Sequence, residues 1–242
     1  MRLLLTRPLE DARSLARRLR RGGHQVDLAP ILTMRYRPEA CPDKERPAAL
    51  AVTSKNGIRA LLALPQKRLK PLLRLPLYAV GEQTAAAARR AGWHCVIAAQ
   101  GSVADLAHRI IASFPKGLSA AQRPIWHISG AVQAGALVET LRQAGLAAER
   151  VVLYQAEPVT HWPRHVARQF PNYEGVIIYS TRSAQLFCGL VPERDAQMQP
   201  YPHAYCLSEA VAQAMAAKGF VTAVADAPSD DAMIALINAA TL

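Results

Sequence analysis

The chain has 242 residues, 51% of them hydrophobic, which suits a packed core in one large domain or two ordinary ones and argues against wholesale disorder. Lys and Arg total 29 against 18 acids, a formal net charge of +11; this favours an anionic partner without choosing among nucleic acid, phosphates, polycarboxylates and a membrane surface. Four scattered cysteines without a CxxC pair suit reduced thiols in the cytoplasm, and no apolar run is long enough for a signal peptide or a transmembrane helix.

Residues 2–5 read as a buried strand. Arg7-Pro8 then turns into a helix with Glu10 and Asp11 in its first turn. Leu9, Ala12, Ala16 and Leu19 recur at helical spacing, while Arg13, Arg17 and Arg20 make a solvated face. Gly22-Gly23 ends that helix, and Val26 to Leu32 gives a second strand. Residues 33–49 break the rhythm. Thr33 to Arg37 alternates like an exposed strand, and Pro38, Pro42 and Pro47 follow as in a linker.

The stretch from Leu50 to Leu62 reads as a buried strand, a polar turn (Thr53-Ser54-Lys55-Asn56-Gly57) and a helix start. Leu77 to Val80 is the next strand, Gly81 to Thr84 a turn, and Ala85 to Ala91 a helix ended by Gly92. Cys95 to Ala98 is another strand, and Val103 to Ala112 a helix with Ser102 as its N-cap. Ile125 to Ile128 is a strand, followed by Ser129-Gly130 and a helix through Leu141 ended by Gly145. Val151 to Gln155 is extended. Residues 156–172 hold Pro158, Pro163 and Pro171 and read as a second linker or irregular segment. The pattern then runs from Val176 to the end.

The second half repeats the first. Ser54 and Ser180 correspond, 126 residues apart. Tyr78-Ala79-Val80-Gly81-Glu82 matches Tyr205-Cys206-Leu207-Ser208-Glu209, Gly92-Trp93 matches Gly219-Phe220, and Ser102 with Leu106 matches Ser229 with Met233. Leu15, Leu19 and Gly23 match Leu137, Leu141 and Gly145, and the offsets stay between 122 and 127. Several matches in one order point to a duplicated α/β domain, and two copies are too few for a solenoid. Connectivity stays open between two consecutive domains and an insertion. In the insertion, residues 1–34 and 158–242 form one domain, and 38–153 form the other. Patterning gives the insertion a modest edge, because both crossings are rich in β-formers and could pair.

Each copy puts hydroxyls, backbone N–H groups and one cation at the carboxyl end of a strand, where open α/β sheets bind ligands and a helix start favours an anion. By residue type alone, Arg7, Lys55 and Arg182 read as solvated loop cations, and Tyr154 as a half-buried packing residue. Trp93, Trp126 and Trp162 sit singly and read as packing. His161-x3-His165 has metal-ligand spacing, but Pro163 lies between and no third ligand is near, so it reads as a solvated pair. Gly130-x4-Gly135 lacks the Lys-Ser/Thr of a phosphate loop. Neither a Gly-x-Gly-x-x-Gly nor a Gly-x-Ser-x-Gly run occurs.

One ordered set carries a family resemblance: Thr6-Arg7-Pro8, Thr53-Ser54-Lys55-Asn56-Gly57, Gly81-Glu82-Gln83-Thr84-Ala85, Val152-Leu153-Tyr154-Gln155, Ser180-Thr181-Arg182-Ser183 and Pro228-Ser229. Together these resemble the uroporphyrinogen-III synthases, over nearly the whole chain. Two departures stand out. The family's second Gly-x-x-Thr-Ala turn becomes Ser208-Glu209-Ala210-Val211-Ala212. The Arg often found after the Ser-Gly turn is absent from Ala131-Val132-Gln133-Ala134-Gly135.

The resemblance implies two similar three-layer α/β domains with parallel sheets, one inserted in the other, joined by a two-stranded β ladder and facing a cleft. It implies an enzyme that closes hydroxymethylbilane to uroporphyrinogen III, inverting the last ring and losing water. Tyr154 becomes the catalytic candidate, donating to the leaving hydroxyl. The implied substrate-binding residues are Arg7, Thr53, Ser54, Lys55, Asn56, Gly81 and Thr84, then Ser129, Gly130, Ser180, Thr181, Arg182 and Ser208. No cofactor or metal is implied. The partner is a polycarboxylate tetrapyrrole rather than nucleic acid or membrane. The protein is expected to act as a cytoplasmic monomer, with transient contact to the preceding pathway enzyme. The rival reading is a non-catalytic two-domain sensor of an anionic ligand. Nucleic-acid binding rests on charge alone, without aromatic interleaving or a recognisable motif.

Overall fold

The computed structural model describes residues 1–43, 46–115, 123–132, 136–191 and 200–240. The first elements are β1 (Arg2–Leu5), α1 (Leu9–Arg21), β2 (Gln25–Leu28) and β3 (Leu32–Tyr36). Next come β4 (Ala49–Val52), α2 (Lys55–Leu62), α3 (Gln66–Leu72), β5 (Leu77–Ala79), α4 (Glu82–Arg90), β6 (Val96–Ala98) and α5 (Val103–Ser113). β7 (Ile125–Gly130), α6 (Leu137–Gln143), β8 (Ala148–Pro158) and α7 (Arg164–Gln169) follow. The chain closes with β9 (Gly175–Ile178), α8 (Thr181–Leu190), β10 (His203–Cys206), α9 (Glu209–Ala216), β11 (Thr222–Val224) and α10 (Asp230–Ala239).

The chain divides into two compact units, one of Met1–Thr33 with Glu157–Leu242, the other Met34–Ala156. The first contains a five-stranded sheet in the order β11-β10-β9-β1-β2, and all its pairs are parallel. Leu4, Val176, Ile178, Phe187 and Met215 pack on one of its faces with α8 and α9. Leu3, Leu5, Ile177, Leu15, Leu19 and Met233 fill the other with α1 and α10. Burial on both faces is why these strands read as unbroken apolar runs.

The second unit is built the same way. Its sheet runs β3-β8-β7-β4-β5-β6, parallel from β8 to β6. Leu50, Val52, Leu61, Leu77, Ala85 and Trp126 form the core under α2 and α4. Ala49, Ala51, Ile125, Leu106 and Leu141 form the one under α5 and α6. β3 lies beside β8. The Arg37 N–H donates to the Leu153 carbonyl at 2.7 Å and the Val159 N–H to that of Ile31 at 3.0 Å. One number falls as the other rises, so this pair is antiparallel, as the expected ladder requires.

The sequence repeat acquires a structural meaning here. The sheet order β11-β10-β9-β1-β2 matches β6-β5-β4-β7-β8 position by position. The first half of the chain supplies β1-α1-β2 to one unit and β4 through α5 to the other, and the second half does the reverse. The repeat halves and the compact units are therefore different divisions of the chain. Gly92 and Gly219, equivalent in the repeat, both end helices with φ of 101° and 92°, where a Cβ would be strained.

Several expectations need correction. Val26 to Leu32 is two strands rather than one, because Pro30 offers no N–H to extend the ladder. The segment 156–172 is not irregular. β8 continues to Pro158, and α7 follows with Pro163 at its N-cap, where a missing N–H costs nothing. Trp162, Val166 and Phe170 anchor that segment in the core. α3, with Pro65 at its N-cap and Pro71 inside it, has no counterpart among the expected elements. Ser102 caps α5 as expected, accepting from the Asp105 N–H at 3.0 Å. The three tryptophans are all buried. Gln133, Ala134 and Gly135 lie outside the described residues, and α6 is described from Leu137.

His127, in the middle of β7, is 2% exposed, and neither ring nitrogen has a hydrogen-bond partner among the described residues. Burial, reinforced by the Arg150 charge and opposed by Glu139, pushes its imidazole down to about 4 from 6.5. The native state keeps His127 neutral where the unfolded chain protonates it. Its contribution to stability is thus complete above pH 6.5 and is lost as pH falls towards 4. Up to about 1.4 kcal/mol per pH unit should be lost across that window. Denaturant unfolding at pH 7 and pH 5 should show a smaller pH difference for His127→Leu than for the parent; an equal difference would assign the slope to other groups.

Candidate active site

In a sheet of this order, the chain steps away from the centre in opposite directions at β4 and β7, with α2 and α4 on one face and α5 and α6 on the other. The carboxyl ends of those two strands form the switch point where ligands bind. In the second unit this point holds Thr53 to Asn56 after β4, Ser129 to Ala131 at the end of β7, and Tyr154 in β8 next door. Three candidates meet directly there. The Tyr154 hydroxyl and Ser54 Oγ are 2.9 Å apart.

That contact requires Tyr154, on β8, to reach over β7 to the end of β4. Gly130 makes it feasible. A Cβ on Gly130 would sit 2.7 Å from Tyr154 Cε2 and 3.2 Å from Cδ2 and Cζ, so only a residue without a side chain leaves room for the ring. The β7–β8 ladder also shifts register here: Ser129 pairs with Val152 but Gly130 with Tyr154. Such a bulge re-aims the side chain that follows it.

Ser54 and its repeat partner Ser180 use their hydroxyls differently. Ser180 caps α8, accepting from the Ser183 N–H at 3.1 Å. Ser54 sits at the same position on α2, but makes no side-chain cap and engages Tyr154 instead. The first turn of α2 therefore keeps N–H groups without a side-chain acceptor, a site suited to a carboxylate. Lys55, half-buried, opens that helix, and Asn56 Oδ1 accepts from Arg59 at 2.8 Å. Gly81 is the N-cap of α4, and its neighbour Thr84 is buried, a helix-packing residue rather than an exposed ligand. Ser129 is buried too, and its hydroxyl accepts from Arg150 Nε at 2.9 Å.

The first unit places the other candidates at its own strand ends. Arg7, after β1, is no solvated cation: Nη1 is 2.8 Å from Asp230 Oδ1, and the guanidinium lies 4.1 Å over the Tyr179 ring. The Tyr179 hydroxyl donates to the same Asp230 oxygen at 2.8 Å. Burial, then the hydrogen bond to Asp230, raise the Tyr179 phenol far above its ordinary value. Thr181 and Arg182 open α8 and are exposed, as is Ser208, the N-cap of α9.

The structure adds Arg150, Tyr179 and Asp230 to the candidates. Asp230 had one indication, its place beside Ser229 in the repeat; Arg150 had none, being a lone cation in a strand. His161 bonds Thr160 at 3.0 Å and is exposed like His165. Among the described residues, no group of three or more His, Cys, Asp or Glu stands close enough to hold a metal ion, and no helix is long and apolar enough to cross a membrane.

The second unit thus presents hydroxyl-rich, N–H-rich turns at the switch point of a parallel α/β sheet. Residues 13–235 match the family model described as "Uroporphyrinogen-III synthase HemD". The chain belongs to that family, a family of cyclising hydro-lyases. Uroporphyrinogen-III synthetase from Helicobacter pylori 26695 is similar over 99% of this chain and 100% of its own, at 17% identity and a TM-score of 0.66, and shares the fold. A mutant uroporphyrinogen III synthase from the extremely thermophilic bacterium Thermus thermophilus aligns over 100% of this chain and 98% of its own, at 16% identity and a TM-score of 0.48. No curated protein sequence matches.

The close contact at Gly130 makes a direct expectation. Gly130→Ala should displace the Tyr154 ring and break its bond to Ser54, lowering stability by about 1–3 kcal/mol. Ser54→Ala keeps the ring seated and should cost about 0.5–1.5 kcal/mol. Urea unfolding of both variants, with the Tyr154 ring followed by NMR, measures the difference.

Proposed function

We propose that this chain is a uroporphyrinogen-III synthase, closing hydroxymethylbilane with inversion of ring D. The observation that carries the reading is the Tyr154 hydroxyl held 2.9 Å from Ser54 at the switch point of a family member. Departure of the substrate's hydroxyl gives an azafulvene cation. That cation attacks the substituted carbon of ring D to form a spiro intermediate, which fragments and recombines. Ring D releases a proton on recombination, so the balance is loss of water. The pyrrole supplies the electrons, and the protein has to fold the chain, exclude uninverted closure and help the hydroxyl leave. In this reading Tyr154 donates a hydrogen bond to that hydroxyl and Ser54 orients the phenol, a role supported by their 2.9 Å contact.

The acetate and propionate arms are received by backbone N–H groups at helix starts such as that of α2, where Lys55 stands. A charge-assisted hydrogen bond is worth roughly 1.5–3 kcal/mol, so several suffice without a dedicated Arg for each arm. The net charge of +11 raises the encounter rate. In the same proposal the protein acts as a cytoplasmic monomer. It makes transient contact with the enzyme that supplies hydroxymethylbilane, a handover that the spontaneous closure of that substrate makes useful.

Incubation with hydroxymethylbilane tests the reading. The type III isomer is expected, in chelator-treated protein as well. Type I isomer alone would mean a sensor that leaves closure to the solvent. Tyr154→Phe should lower kcat by about 10²-fold, the lower end of general-acid effects, with product affinity nearly unchanged. Lys55→Ala and Arg182→Ala should act mainly on KM. A parental kcat in Tyr154→Phe would make Tyr154 a packing residue.

A further inference from the structure

We infer that Arg150 is the positioning residue that keeps Tyr154 aimed at its target, an inference that deepens the proposed function and rests on it. Arg150 lies in β8, four residues before Tyr154, and its Cα pairs with that of His127 in β7. Its guanidinium makes three hydrogen bonds to the end of β7: Nε to Ser129 Oγ at 2.9 Å, and Nη2 to the carbonyls of Gly130 at 2.7 Å and Ala131 at 2.8 Å. These carbonyls lie where the β7–β8 ladder slips out of register. A charged donor satisfies both at once, and the planar fork of an arginine reaches the Ser129 hydroxyl as well.

Holding the Gly130 carbonyl fixes a whole peptide plane, because its C=O and the Ala131 N–H are rigidly opposed. That N–H donates to the Tyr154 carbonyl at 2.9 Å. One peptide is thus gripped on one edge by the Arg150 side chain and on the other by the Tyr154 backbone. Its Gly130 end is also the surface against which the Tyr154 ring lies, with no room for a Cβ. Rotation of this peptide would move that surface and take the phenol off Ser54. Arg150 acts through the turn, so its effect on the reaction passes through Tyr154. His127 on the adjoining strand points to the same face as Ser129, and as a buried neutral ring it sets no second charge against the guanidinium.

The test is a double-mutant cycle on kcat with Arg150→Met, Tyr154→Phe and both, in which coupled residues fail to add. Arg150→Met is expected to lower kcat about tenfold in the parent, and less than about twofold in the Tyr154→Phe background. Arg150→Lys, which keeps the charge but not the fork, should fall between Arg150→Met and the parent. Equal losses in the two backgrounds would overturn the inference, as would parental kcat in Arg150→Met. Amide exchange gives a readout without turnover. The Ala131 N–H should exchange at least about tenfold faster in Arg150→Met while amides of α5 keep parental protection, and an unchanged Ala131 would overturn the inference. If the parent yields no type III isomer, the proposed reaction fails, and exchange at Ala131 alone decides the role of Arg150.

Discussion

The contact on which the candidate site depends is the flat approach of the Tyr154 ring to the backbone of β7 at Gly130. A side chain on β8 can reach the end of β4 only by passing over the strand between them. Any Cβ at position 130 would stand about where the ring lies, 2.7 Å from one of its carbons. The missing side chain is therefore as much a part of the site as the phenol. The register shift between Ser129 and Gly130 supplies the aim, and Arg150 ties down the turn that the shift leaves outside the regular ladder.

The duplication lets equivalent positions be compared within one molecule. Ser54 and Ser180 open equivalent helices, yet one is drawn off by Tyr154 and the other caps its own helix. The first leaves N–H groups for an anion; the second satisfies one internally. Arg7 shows a similar commitment on the first unit. Asp230 and Tyr179 hold it in a cation–π stack and an ion pair, which offsets much of its charge and orders the strand ends around it. The two edges are thus alike in topology and unlike in chemistry.

The topology also explains why the repeat misleads when read along the chain. Neighbouring strands of one sheet come from different halves, because β1-α1-β2 and β7-α6-β8 each complete the sheet that the other half began. The exchange gives each unit five parallel strands in the same order. The β3–β8 pair holds the segments where the chain passes between the two.

The sequence by itself determined the alternation of strands and helices, the turns at the strand ends and the duplication. Burial on both faces writes parallel strands as apolar runs, and helix starts have local chemistry that the residues display. It also placed Ser54 in a strand-end turn, whereas Gly130 and Tyr154 became site candidates only through the family resemblance, since a tyrosine in a strand reads by itself as packing. Local chemistry misled at Pro163, which looks like a breaker but is absorbed at the start of a helix packed on the core. Only the tertiary structure decided that Thr84 and Ser129 are buried, that Arg7 belongs to Asp230, and that Arg150 reaches the Gly130 turn. Those outcomes depend on which strand lies beside which. A pairing such as Arg7 with Asp230, 223 residues apart, leaves no trace in the local pattern of either segment.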